Sequence, residues 1–315
     1  MIKTPVCDIA GIKYPIFQGG MAWISEAKLA AAVSNGGGLG IISAMNADAG
    51  YLREQITLAR KLTDKPFGVN IMLMSPFADE VAKVVAEEKV PVVTTGAGNP
   101  SKYMELWHGA DVKVIPVVAS VAMAKLMTRA GACALIAEGG ESGGHVGDTT
   151  TMALVPQVCD ATDLPIIAAG GIADGRGVAA SFMLGAQGVQ LGTLFLVADE
   201  CRVHQTYKDK ILKATDISTV ATGKRLGHPV RSIKTPFSRS YLKSEYDSNI
   251  SDAELEQLGA GALRLAAIEG NSEKGCFLAG QISGMIKKQQ PAAQMIEEIF
   301  EQTEEILRSA NKWVK

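Results

Sequence analysis

Between Tyr14 and Val197 the chain repeats one unit eight times, a short apolar run followed by a longer amphipathic stretch. The runs are Pro15-Ile16-Phe17-Gln18, Leu39-Gly40-Ile41-Ile42, Phe67-Gly68-Val69-Asn70-Ile71, Pro91-Val92-Val93-Thr94, Val114-Ile115-Pro116-Val117-Val118, Ala134-Leu135-Ile136, Pro165-Ile166-Ile167-Ala168-Ala169 and Val189-Gln190-Leu191-Gly192. They recur every ~20 to 30 residues, the length of one βα unit, and their near-continuous hydrophobicity suits strands of a parallel sheet covered by helices. The segments between them, such as Glu26 to Asn35, Ala49 to Lys61, Phe77 to Glu88 and Val121 to Ala130, carry apolar residues at helical spacing. Eight such units predict a closed (β/α)8 TIM barrel rather than an open sheet.

After Asp199 the rhythm breaks. Residues 201–288 hold charged helices, a basic stretch from Lys224 to Lys243 and glycines at Gly259 and Gly261, a composition that reads as a small inserted lid or substrate domain near the C-terminus. The basic stretch by itself is what a solvated face looks like. The last amphipathic segment, Ala292 to Trp313, has the pattern of the eighth barrel helix. The expected organisation is therefore a barrel from residues 1–200 and 289–315, interrupted by an insert at 201–288.

Composition narrows the function. With 47% hydrophobic residues, 20% charged residues and a net charge of −2 over 315 residues, the chain carries no nucleic-acid footprint and points to a small-molecule or protein partner. Its longest apolar stretch, Val114 to Ala124, falls well short of the ~20 residues of a membrane span, and no apolar signal core stands at the amino terminus. The five cysteines are scattered and never at metal-ligand spacing, so a reducing, cytoplasmic setting without a metal site is expected.

In this fold the working face lies at the carboxyl ends of the strands. Those positions are Gly19-Gly20-Met21, Ser43, Asn70, Thr95-Gly96-Ala97-Gly98-Asn99, Glu138 leading to His145, Gly170-Gly171 and Gly192-Thr193. The last two pairs follow runs seven and eight, where barrels of this kind bind phosphate through unpaired backbone N–H groups. Gly36-Gly37-Gly38-Leu39-Gly40 is not a dinucleotide loop, because it follows a helical pattern and precedes a strand. Gln18, Asn70, Glu138 and Gln281 can edge a heterocycle, and Met21 can lie against its face, although local structural bonding is the ordinary role of each taken singly.

The loop Glu138-Gly139-Gly140-Glu141-Ser142-Gly143-Gly144-His145 combines glycines that allow close approach with the one side chain whose proton moves near neutral pH. It reads either as a catalytic edge or as a flexible loop whose histidine caps a backbone group. His108, His204 and His228 are weak candidates, lacking ligand-spaced partners.

Taken together, Tyr14 to Trp23, Lys65 to Met72, Val93 to Ser101, the histidine loop, Ile167 to Gly175 and Ala279-Gly280-Gln281 resemble the flavin-dependent enoyl-acyl-carrier-protein reductases of the FabK type, within the nitronate monooxygenase-like group of flavin barrels. The main departure is in the insert, where Lys234 to Asp252 is shorter and altered, which bears on acyl-chain preference. The resemblance implies FMN bound without a covalent link, its phosphate on Gly170, Gly171, Gly192 and Thr193 and its ring near Gly19, Gly20, Met21, Ser43 and Asn70, with Glu138 and Gln281 also at the cofactor. It implies NADH or NADPH as co-substrate, a trans-2-enoyl thioester on acyl-carrier protein as substrate, His145 as the group meeting the thioester carbonyl or supplying a proton, and a homodimer. The lid would meet an acidic carrier through Lys224, Arg225, Arg231, Lys234 and Arg239. The alternative within the group is a nitronate monooxygenase, using the same FMN and histidine with oxygen as acceptor.

Overall fold

The computed structural model describes residues 2–45 and 47–313. Eight parallel strands form one sheet: β1 (Ile16–Gln18), β2 (Gly40–Ser43), β3 (Phe67–Met72), β4 (Val92–Gly96), β5 (Lys113–Val118), β6 (Leu135–Glu138), β8 (Ile166–Ala169) and β9 (Gly188–Leu191). Their order is β1-β9-β8-β6-β5-β4-β3-β2, and the ring closes between its end strands through a parallel bridge from Phe17 to Leu39. There the Gln18 N–H donates to Leu39 O at 3.0 Å and the Leu39 N–H to Ile16 O at 2.8 Å. The protein is thus a (β/α)8 barrel, as the eightfold repeat predicts.

Alternation along the strands divides the apolar residues. Phe17, Leu39, Ile41, Val92, Ile115, Ile136 and Ile167 fill the barrel interior, joined by Val6 and Ala10 of the helix Pro5–Ala10. Neighbours of opposite parity, including Ile42, Val69, Ile71 and Val93, face the outer helices. Burying an aliphatic side chain contributes about 1.5–3 kcal/mol, so these runs supply most of the drive for closure. Helix starts are marked by capping oxygens: Asp48 accepts from the Tyr51 N–H, Ser120 from Met123 and Asp174 from Arg176.

The helix Ala292–Arg308 takes the eighth outer position, against Gly175–Met183 on one side and Ala27–Asn35 on the other. Gln302 Oε1 accepts from the Gly175 N–H at 2.7 Å, and Phe300 stacks on Tyr14. The glycine run after Asn35 ends a helix and leads into β2, the order that excludes a dinucleotide loop.

Residues 201–288 depart from the barrel between β9 and this last helix. They hold the helices Gln205–Leu212, Pro236–Glu245, Asp252–Gly259 and Ala262–Ala267, and an antiparallel pair, β10 (Thr219–Thr222) and β11 (Val230–Ile233). Their buried residues, among them Tyr207, Ile233, Ala266, Phe277 and Ile282, join the same hydrophobic cluster as barrel residues such as Leu191 and Phe195. The segment is fastened down rather than tethered. A further strand, β7 (Gly144–His145), arises within the histidine loop and pairs with β11, giving a three-stranded sheet over the barrel mouth. Among the described residues no helix is long and apolar enough to cross a membrane.

Candidate active site

The carboxyl ends of the strands surround a cavity of about 570 Å³. One end is lined with glycine. Gly170 and Gly171 follow β8 with φ of +88° and +72°, a left-handed pair that other residues adopt only under strain. Opposite them, Gly192 and Thr193 follow β9. Among the described residues, the backbone N–H groups of Gly171, Gly192 and Thr193 donate to no backbone carbonyl. The Thr193 hydroxyl accepts from the Gly280 N–H at 2.9 Å, which leaves its own hydrogen to donate. Convergent unpaired N–H groups on Cβ-free backbone make a concavity for an anion.

The cavity floor is formed by Gly19, Gly20, Met21, Met45, Asn70 and Met72. A Cβ at Gly20 would lie 2.3 Å from Asn70 Cβ, so only glycine fits against that side chain. Asn70 Oδ1 accepts from the Thr94 hydroxyl at 3.0 Å, which fixes its amide at the cavity wall. The combination fits a flat heterocycle carrying one phosphate.

Three expected residues are absent from the wall. Ser43 is buried, and its hydroxyl accepts from the Met45 N–H at 3.4 Å; Met45 lines the cavity instead. Gln281 is exposed, its N–H donating to Glu141 O at 2.9 Å, while Gly280 and Ile282 on either side reach the cavity. Gln18 is also withdrawn, its amide spent on Ser25 Oγ and the Ile41 N–H. Ser43 and Gln18 are thus held by local partners, and the Gln281 side chain faces out from the turn.

Glu138, Gly170, Gly171, Gly192, Thr193 and His145 all line the cavity, together with Gly19, Gly20, Met21 and Asn70. Burial pushes the Glu138 carboxyl above the usual carboxylate range, and the neighbouring Ser142 hydroxyl pulls it partly back. Glu141 has a structural task. Its carboxylate accepts from the Thr151 N–H at 2.8 Å and lies 2.9 Å from the Thr151 hydroxyl, capping the helix Thr151–Cys159; that hydroxyl also lies 2.9 Å from Gly170 O. The histidine loop, this helix start and the glycine pair are thereby locked together.

His145 is set by β7. It sits opposite Val230 of β11, and the Val146 N–H donates to Pro229 O at 3.0 Å. The loop's catalytic-edge reading therefore has a scaffold, and the free-loop reading does not hold for residues 144–146. Burial first, and the charge of His228 second, hold the His145 imidazole below the ordinary histidine value. His228, a weak candidate by sequence, lines the same cavity, as do Thr222, Leu226, Phe237, Tyr241, Leu263, Cys276 and Leu278 from the inserted segment. No motif announces these residues, because the hairpin and helices that carry them reach the barrel mouth only through tertiary contacts.

A carboxyl whose neutral form is favoured by burial is mimicked by an amide. Glu138→Gln is expected to raise Tm by roughly 2–4 °C at pH 8 and by less at pH 5. The sign follows from linkage: a raised folded-state pKa gives stability that is present at low pH and lost as pH rises through it, a loss the amide cannot suffer. Equal Tm differences at both pH values, read by calorimetry, would show that Glu138 carries no such burden.

A cavity at the mouth of a (β/α)8 barrel, with glycine-rich backbone and free N–H groups at one end and an imidazole on its wall, is the arrangement of a barrel that binds a small ligand at its working face. The chain belongs to the nitronate monooxygenase family, a group of flavin-dependent oxidoreductases, whose sequence model matches residues 3–83 and 75–302. It is similar to FabK from Thermotoga maritima, with a TM-score of 0.97 and 49% identity covering 100% of both chains. It is 34% identical to the probable nitronate monooxygenase of Staphylococcus saprophyticus, over 97% of this chain and 99% of that one. It is also 31% identical, over 95% of each chain, to a Mycobacterium tuberculosis protein named as a 5-hydroxy-7a-methyl-1-oxo-octahydro-1H-indene-4-carboxyl-CoA dehydrogenase.

Proposed function

We propose that this protein is an FMN-dependent enoyl-acyl-carrier-protein reductase, using NADH or NADPH to saturate a trans-2-enoyl thioester in the last step of the fatty-acid elongation cycle. The observation that carries the reading is the similarity to FabK, which spans barrel and inserted segment alike at 49% identity. The relative named for a carboxyl-CoA substrate supports thioester redox chemistry in this family.

The N–H groups of Gly170, Gly171, Gly192 and Thr193 would hold the FMN phosphate, with the ring over Gly19, Gly20, Met21 and Asn70 and Glu138 at its edge. Bound there, FMN supplies the hydride chemistry. In the net reaction the nicotinamide gives up a hydride, the substrate β-carbon gains it, the α-carbon gains a proton and the carbon–carbon double bond becomes single.

His145 does the polar work. Neutral at pH 7 because its environment disfavours the cation, it donates an N–H to the thioester carbonyl, where enolate charge develops. The apolar side of the cavity, formed by Leu226, Phe237, Tyr241, Leu263 and Leu278, takes the acyl chain, and residues 201–288 act as a lid that excludes water. Of the five basic residues expected to meet the carrier, two have other duties. Arg225 pairs with Asp252 at 2.8 Å, and Arg231 donates to Gly140 O at 2.9 Å. Lys224, Lys234 and Arg239 are exposed and remain for the acidic carrier.

Purified protein should oxidise NADH or NADPH only slowly alone, and rapidly when a trans-2-enoyl thioester is added, with the saturated thioester as product. Oxygen-dependent consumption of propionate-3-nitronate, without enoyl reduction by either nicotinamide, would overturn this reading in favour of the monooxygenase.

A further inference from the structure

The helix Asp252–Gly259 forms the outer wall of the cavity. It packs chiefly against the helix Pro236–Glu245 rather than on a barrel strand, yet Glu256 and Gly259, one turn apart on the same face, both line the cavity. Glu256 is exposed and Gly259 half-buried, so the cavity reaches the surface here, on the side of the inserted segment. Phe237 and Tyr241, four residues apart on the neighbouring helix, line the same end with ring centroids 5.9 Å apart, and Leu263 joins them. The approach to this opening is apolar.

Gly259 is not a glycine that the backbone requires. Glycine at a helix end ordinarily serves a left-handed turn, but Gly259 is helical and outside that region, and Ala260 after it is extended. Nor does close packing demand it. A Cβ at Gly20, Gly143 or Gly280 on the same cavity would come within 2.3, 2.6 or 2.8 Å of other atoms, whereas at Gly259 the nearest atom is Tyr241 Cε2 at 3.6 Å, an ordinary contact. Within a helix glycine also costs stability relative to alanine. What its missing side chain supplies is room beside the Tyr241 ring. The rim of that room is acidic: the helix carries Asp252, Glu254 and Glu256 and no basic residue, and Arg225 offsets Asp252. Such a rim repels an acidic carrier or a nucleotide diphosphate and is indifferent to a hydrocarbon chain.

We propose that Gly259 and Tyr241 form the exit for the far end of the acyl chain, and that the room between them makes this protein a reductase of medium- and long-chain enoyl thioesters. With the thioester at His145, the outer methylenes pass Phe237, Tyr241 and Leu263 and leave between the two helices, while the acidic carrier stays off this rim. Gly259 is thus a specificity-determining residue. The proposal rests on the reductase reading.

The test is a chain-length series with the flavin-loaded protein and whichever nicotinamide it oxidises. Wild-type kcat/KM should rise from the crotonyl through the octenoyl to the dodecenoyl thioester, because each added methylene finds an apolar wall. Gly259→Leu fills the room, and each methylene it displaces should cost about fourfold in kcat/KM. The ratio of dodecenoyl to crotonyl kcat/KM should therefore fall by roughly tenfold or more. Gly259→Ala adds only the Cβ for which there is space, so it should keep the wild-type ratio within about twofold and melt no lower than the wild type. Binding without turnover gives a second readout: titrated against flavin absorbance, dodecanoyl-CoA should lose more affinity for Gly259→Leu than butyryl-CoA does. A wild-type kcat/KM that collapses beyond the octenoyl chain overturns the proposal even if no variant folds. So does an unchanged chain-length ratio in Gly259→Leu, or an unstable Gly259→Ala, which would make the glycine a requirement of the fold. A wild type that reduces none of the three thioesters brings down the reductase reading itself and the proposal with it, so the two failures are told apart by the wild type alone.

Discussion

Gly171→Asp should give a folded protein without its flavin colour. The residue sits in the left-handed region at φ +72°, where any side chain costs about 1–2 kcal/mol. A Cβ added there meets the Glu141 side chain at 3.4 Å, an ordinary contact, so the backbone can hold its course. The larger effect is electrostatic. A carboxylate would project beside Glu141 and into the concavity of unpaired N–H groups, where the cofactor phosphate is proposed to bind, and two anions cannot share it. Gly171→Ala carries the strain without the charge and is the control. Visible flavin absorbance per chain should fall to near zero in the aspartate variant and only partly in the alanine variant, with far-ultraviolet circular dichroism unchanged in both. Full flavin occupancy in Gly171→Asp would mean that the phosphate lies elsewhere. Gly170 is a poorer place for the experiment, since a Cβ there would come within 2.7 Å of Gly139 O and disturb the backbone itself.

His145→Ala should retain flavin and lose about 10²- to 10⁴-fold in turnover with an enoyl thioester, the range for removing a positioned proton-handling or hydrogen-bonding group. Retention is expected because the glycine cradle is held by Glu141, Thr151 and Gly280, none of which depends on the imidazole. The loss should be confined to the half-reaction with the enoyl substrate. Rapid mixing separates the halves: reduction of the protein-bound flavin by the nicotinamide should proceed at nearly the wild-type rate, and reoxidation by the enoyl thioester should be slow. Slowed reduction with normal reoxidation would move His145 from the acyl site to the nicotinamide site.

Much of the architecture was legible in the residues because its signals are local. Each barrel strand is a short apolar run that must be buried on both faces, and each outer helix shows its period and often its cap, as at Asp48, Ser120 and Asp174. The glycine-lined end of the cavity was legible for the same reason. Gly19-Gly20, Gly170-Gly171 and Gly192-Thr193 follow strands directly, and in a barrel that alone puts them at one mouth. Ser43 and Gln281 stand off the cavity wall, because a residue at the end of a strand or in a turn can face either way: the Ser43 hydroxyl accepts from the Met45 N–H, and Gln281 is exposed.

The other end of the cavity was another matter. His228, Phe237, Tyr241, Leu263 and Cys276 stand on a segment whose sequence carries no repeat and no motif, and its placement follows from contacts with distant parts of the chain. β7 is two residues long and exists only because β11 runs beside it. The sequence by itself determined the barrel, its working face and the glycine surfaces suited to an anion, because hydrophobic period and glycine stereochemistry act within a few residues. Only the tertiary structure decided that His145 is held on a strand, that His228 shares the cavity with it and that Glu141, itself on the cavity wall, caps a helix, because those roles depend on which groups meet across long loops and on how much water their meeting excludes.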